Sequence, residues 1–141
     1  MCQIANTVSE LRFTYDCPSK NSTKCVPVLD VQMWVSTNNK VLYKFYKKPC
    51  SSPYTLLKRS AIPESTKRET NFQEGLRRLS RTSLEVDWST RQQDLAEYSM
   101  MLKLPGYSQE YRRNTLSGIL KRWDTVQSEI KSGNREFHRT R

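Results

Sequence analysis

Hydrophobic positions alternate early in the chain. Leu11, Phe13 and Tyr15 fall on one side of a strand predicted over Glu10–Tyr15. Residues 16–25 are polar and turn-forming. Val26–Val35 is rich in β-branched and apolar residues and predicts a strand, and so does Val41–Lys47, with Val41, Tyr43 and Phe45 on one face. Between them lies Ser36-Thr37-Asn38-Asn39, a turn signal because Asn tolerates positive φ. Two β-rich runs around a short Asn-containing turn predict a hairpin.

The pattern changes character at Pro49. Residues 49–63 form a connector bounded by Pro49, Pro53 and Pro63, with Tyr54–Leu57 as a short strand inside it. Three helical patterns follow. The first starts near Glu64 and fades by Thr82-Ser83, with Phe72, Leu76 and Leu79 on one face. Thr66 and Glu69 have the spacing of a capping box. The second starts after Asp87, a good N-cap residue, carries Leu95, Tyr98 and Leu102 on one face, and stops before Pro105-Gly106. The third starts at Ser108. Its Leu116, Ile119, Trp123, Val126 and Ile130 form one stripe, and Ser132-Gly133-Asn134 ends it. The tail Arg135–Arg141 is basic and is expected to be disordered. The expected architecture is α+β: a small antiparallel β-sheet containing the hairpin, followed by a three-helix bundle. Trp34, Trp88 and Trp123 are expected in the core.

Composition narrows the function. Lys and Arg number 24 against 14 Asp and Glu, a net charge of +10. That balance favours a polyanionic partner. No apolar run approaches a membrane span, and the N-terminus lacks the basic flank and apolar run of a signal peptide, so the chain reads as intracellular. The cysteines at 2, 17, 25 and 50 contain no Cys-x-x-Cys pair, and the only histidine is His138. Free thiols are expected, with disulfides only in a secreted protein, and neither a metal site nor a cofactor.

Catalytic chemistry finds little support. Metal-dependent polymerases and nucleases need clustered carboxylates. No Asp-Asp pair occurs; Asp16 and Asp30 stand alone in the β-rich part. His138 lies among tail arginines, and there is no phosphate loop.

The cations are more informative. On the first helix Lys67, Arg77, Arg78 and Arg81 form an arc taken as roughly opposite Phe72 and Leu79. Arg112, Arg113, Lys121 and Arg122 sit on the third. Guanidinium groups on rigid helices suit phosphates because they offer several donors in a fixed fork. Lys44, Lys47 and Lys48 are interleaved with Tyr43, Phe45 and Tyr46, a pattern that can track a sugar–phosphate backbone. Each set also reads as a solvated charged face, and the last as an ordinary half-buried hairpin.

An ordered set of short segments suggests a family. Val26-Pro27-Val28-Leu29-Asp30-Val31-Gln32-Met33-Trp34-Val35, a short turn, and Val41-Leu42-Tyr43-Lys44-Phe45-Tyr46-Lys47-Lys48-Pro49 resemble the segment downstream of the catalytic motifs in retroelement reverse transcriptases, Penelope-like or related elements of invertebrates. Ser60-Ala61-Ile62-Pro63, Gln73-Glu74-Gly75-Leu76-Arg77-Arg78-Leu79, Ser99–Lys103 and Gly106-Tyr107-Ser108 continue the likeness, which covers roughly residues 5–131. The resemblance implies a palm edge at 1–48 whose hairpin Val28–Tyr46 is a primer grip, the connector 49–63, a helical thumb at 64–131, and the tail 132–141. It also implies a piece lacking the fingers and most of the palm, including the Tyr-x-Asp-Asp motif. The expectation is therefore a non-catalytic chain that binds template–primer duplex through its phosphates, with the missing polymerase domain as a further partner. Two rivals stand beside it: a helical interaction module for an acidic protein, and a degraded retroelement product with no present function.

Overall fold

The computed structural model describes residues 23–53 and 55–132, with Thr7, Cys17 and Ser19 besides. The strand expected over Glu10–Tyr15, Cys2, Tyr54 and the tail from Gly133 with His138 lie outside the described residues. Among those described, three strands precede three helices: β1 (Val26–Val28), β2 (Val31–Val35), β3 (Val41–Phe45), α1 (Glu64–Ser80), α2 (Trp88–Lys103) and α3 (Gln109–Lys131). The sheet is an antiparallel meander in the order β1-β2-β3, and the fold is α+β.

The run Val26–Val35 is two strands rather than the one expected. It folds back at Leu29-Asp30, where Val28 pairs with Val31 and Leu29 adopts φ 55°. A leucine resists positive φ, so its residue type gave no turn signal. The turn is held from outside. The Asp30 carboxylate pairs with Arg77 and, at 3.4 Å, with Arg81, while the Asp30 carbonyl accepts the Tyr46 N–H at 2.9 Å. The second turn is the expected one. Asn39 has φ 56° and donates its N–H to the Ser36 carbonyl at 3.0 Å. No strand forms over Thr55–Leu57.

The free edge of β3 is closed by the segment after α1. Ser83 N–H donates to the Tyr43 carbonyl at 2.8 Å, Tyr43 N–H to Ser83 Oγ at 2.9 Å, and Phe45 N–H to Thr82 Oγ1 at 3.1 Å. These bonds satisfy backbone groups that an edge strand leaves open. They also tie the sheet to the bundle.

The helix ends follow local chemistry in part. Ser108 caps α3, its Oγ accepting the Tyr111 N–H at 3.2 Å. Thr66 and Glu69 fall inside α1, whose N-cap is Pro63 with no side-chain bond, so the expected capping box is absent. Asp87 takes the N-cap position of α2 but its carboxylate binds the Ser89 hydroxyl rather than a helix amide.

Leu79, Leu95, Tyr98, Leu102, Ile119 and Trp123 form the core, with Phe72, Leu76 and Leu116 packed against it. Gly75 lets the helices approach. A Cβ there would lie 2.3 Å from Ile119 Cδ1 and 3.0 Å from Tyr98 Cε1. Trp123 is buried as expected; Trp34 is half-buried, and Trp88, at 41% exposure, is not a core residue. Trp88 opens α2 in the first turn, ahead of the stripe that packs. Val126 and Ile130 continue the α3 stripe but are only half-buried. No helix among the described residues is long and apolar enough to cross a membrane.

Candidate nucleic-acid interface

The α1 cations do not form an outward arc. Lys67 and Arg78 are each 2% exposed. At roughly 100° per residue Arg78 lies beside Leu79, and Lys67, Asn71, Gly75 and Arg78 make a second buried stripe next to Phe72, Leu76 and Leu79. Lys67 Nζ donates to the Lys58 carbonyl at 2.7 Å and to Glu64 Oε1 at 3.0 Å. It anchors the connector to the helix. Arg78 Nε donates to Glu74 Oε1 at 3.0 Å, and its guanidinium lies 4.6 Å from the Phe45 ring centroid and 4.9 Å from that of Tyr98. Arg77 is half-buried and pairs with Glu74 at 2.8 Å as well as with Asp30. Arg81 is exposed but shares Asp30. Burial pushes the Glu74 carboxyl up, and hydrogen bonds from Arg77 and Arg78 more than offset that, leaving it below the usual range. Four expected phosphate contacts thus resolve into two structural cations, one doubly paired arginine and one exposed arginine.

The hairpin lysines divide. Lys48 is exposed; Lys44 and Lys47 are half-buried. Lys47 Nζ lies 4.0 Å from Glu97 and 3.6 Å from Met101 Sδ. With Gln32, Asp94 and Glu97 the three lysines line a recess between the sheet and α2 of about 560 Å3. Burial raises the Asp94 carboxyl to about 6, against opposing effects of Arg78, Lys44 and Arg91, and its Oδ2 has no hydrogen-bond partner among the described residues.

Arg91 went unnoticed in the sequence and is a structural clamp. Its Nη2 donates to the carbonyls of Thr82 at 2.7 Å and Ser83 at 2.8 Å, and its Nη1 to Val86 at 3.1 Å. Burial holds its guanidinium below the usual arginine range. One signal could have found it: Arg91, Leu95, Tyr98 and Leu102 recur at helical spacing, so this cation sits on an apolar stripe.

On α3, Arg113 and Lys121 are left open to solvent. Arg112, Arg113 and Lys121 line a groove of about 550 Å3 with Ser99, Gln109, Ser117 and Asp124, floored by Leu116 and Leu120. Arg112 is half-buried and reaches Ser99 Oγ at 3.4 Å; Arg113 and Lys121 are exposed, with no carboxylate within 4.0 Å among the described residues. The two lie two turns apart, roughly 12 Å along the helix axis. Arg122 faces elsewhere and pairs with Glu129 at 3.7 Å.

The described residues contain no group of three or more His, Cys, Asp or Glu side chains placed to hold a metal ion. No protein-family model, curated protein or solved structure matches the chain.

Proposed function

We propose that this chain is a non-catalytic nucleic-acid-contacting module, similar in layout to a reverse transcriptase primer grip followed by a thumb. It grips phosphates and carries out no nucleotide transfer. The observation that supports it best is the α3 groove, where Arg113 and Lys121 project two turns apart without carboxylate partners among the described residues. Cations on a rigid helix can follow phosphates, which requires no base readout and produces little sequence preference.

The test is fluorescence anisotropy with RNA–DNA and DNA duplexes at several salt concentrations. Replacing Arg113 and Lys121 by Gln should lower the slope of log K against log salt by about 0.9 per lost contact with B-form duplex. Affinity should fall alike for unrelated sequences. Equal affinity and slope in parent and variant would exclude this surface. The apolar floor of Leu116 and Leu120 favours a second reading, an acidic amphipathic helix of a partner protein lying in the groove. Competition between duplex and an acidic amphipathic peptide separates the two.

A further inference from the structure

We infer that the cavity between β3, the connector and α1 is a binding site for a phosphate monoester, separate from the α3 groove and independent of it. The cavity measures about 680 Å3, within the usual size for small-molecule sites and far too small for a duplex.

The argument begins with Arg78. Its guanidinium is almost wholly enclosed, and a buried guanidinium demands acceptors for its donors. Nε has Glu74. Nη1 has no partner among the described residues, and Nη2 meets only Met101 Sδ at 3.1 Å. Lys47 Nζ points at the same sulfur, at 3.6 Å. A thioether is a weak acceptor and carries no charge. Two cations therefore converge on an atom that satisfies neither. Glu74 does not meet the deficit: its two oxygens accept from Arg77 Nε, Arg77 Nη2 and Arg78 Nε, and from neither terminal nitrogen of Arg78.

The rest of the lining fits an organic oxyanion. On the lining, Lys47, Lys48, Arg77 and Arg78 outnumber the carboxylates Asp30 and Glu74; Lys47 also has Glu97 at 4.0 Å, off the lining. Thr55 Oγ1 and Asn71 Oδ1 are buried on the same lining without hydrogen-bond partners among the described residues. Leu56, Phe45 and Met101 supply apolar wall. Two fork donors from Arg78 and a third from Lys47, arriving from another element, suit a tetrahedral oxyanion better than a planar one. The hydroxyl and amide are left for a polar edge on the body that the phosphate carries. Interior phosphates of a duplex cannot reach so enclosed a guanidinium, so the monoester belongs to a small molecule or to a strand end.

Isothermal titration of the full chain tests this with phenyl phosphate, inorganic phosphate, benzyl alcohol, and a dinucleotide with and without a 5′-phosphate. Phenyl phosphate should bind saturably at millimolar concentration or below and raise the melting temperature, inorganic phosphate should bind more weakly, and benzyl alcohol should not bind. Lys47→Met should weaken phenyl phosphate about tenfold. Lys48→Met, at an exposed position that leaves the fold intact, should weaken it less. Arg113→Gln with Lys121→Gln should leave it unchanged. Tighter binding of the phosphorylated dinucleotide than of phenyl phosphate assigns the site to a strand end; the reverse order assigns it to a small molecule. Absence of saturable phenyl phosphate binding overturns the inference, as does equal binding by the parent and both lysine variants. Neither result bears on duplex binding at α3.

Discussion

Lys67, Arg78 and Arg91 are enclosed cations that serve the fold, each by a different route. Lys67 ties a connector carbonyl to α1, Arg78 lies over two aromatic rings, and Arg91 gathers three loop carbonyls. Hydrogen bonds and ring contacts replace part of the water that each loses, while Arg78 Nη1 and Arg91 Nε have no partner among the described residues. Replacing Lys67, Arg77, Arg78 and Arg81 together by Gln is therefore expected to unfold the chain rather than to remove phosphate contacts, which loss of the cooperative thermal transition would show. Asp94 is the converse case, a carboxylate raised to about 6 mainly by burial, from an ordinary 3.8. The folded state then binds more protons than the unfolded state between those values. The stability contribution is present below the lower value and is lost as pH rises through the upper one. Glu74, held low, works in the opposite sense: its contribution is present at neutral pH and is lost on acidification. Asp94→Asn should stabilise the chain by about 1–2 kcal/mol at pH 7, after allowance for partial exposure, and by almost nothing near pH 4. Urea denaturation at both pH values checks this; an equal effect at the two would assign the gain to something other than the charge.

Two elements are joined by very few groups. Phe45 N–H has Thr82 Oγ1 as its acceptor at the β3 edge, and Phe45 is itself buried. Thr82→Val keeps the shape and removes the acceptor, which should cost about 1–3 kcal/mol. Faster amide exchange at Phe45 and Tyr43 than in α2 would locate the loss at the sheet–bundle junction. Within the bundle, Gly75 sits where α1 meets Ile119 of α3 and Tyr98 of α2. Gly75→Ala gains about 1 kcal/mol of helix propensity but drives a methyl into Ile119, with an overpacking penalty of about 1–3 kcal/mol. A net fall in melting temperature is expected; a rise would mean that Ile119 has room to turn aside. The element boundaries show why local signals were only partly legible. Ser108 caps α3 because its hydroxyl meets a free amide, whereas the Thr66 and Glu69 spacing falls inside a helix that Pro63 has already opened. Leu29 turns the chain at positive φ under the hold of Asp30 on α1, and no residue type at that position announces a turn.

At the scale of the molecule, the core stripe of α3 faces the apolar sides of α1 and α2 as its spacing requires, and Trp123→Ala should cost about 3–5 kcal/mol. An unchanged melting temperature would remove Trp123 from the core. The net charge of +10 is distributed unevenly. Around α1, Lys67, Arg77, Arg78 and Arg81 are taken up by Glu64, Glu74 and Asp30, whereas on α3 Arg113 and Lys121 remain open to solvent. Duplex affinity should accordingly respond to Arg113→Gln with Lys121→Gln more than to Arg81→Gln, as salt titrations would read out. The linear order of residues determined the three helices and the hairpin around Ser36–Asn39, where α2 and α3 begin, and which apolar stripes meet. Those properties rest on periodicity and local backbone chemistry, which neighbouring residues set. Tertiary structure alone decided which cations are buried, that Val26–Val35 folds back on itself, and that Arg78 and Lys47 converge on one sulfur. Each of these depends on groups brought from distant parts of the chain, and the charge on a side chain records nothing of what will come to lie beside it.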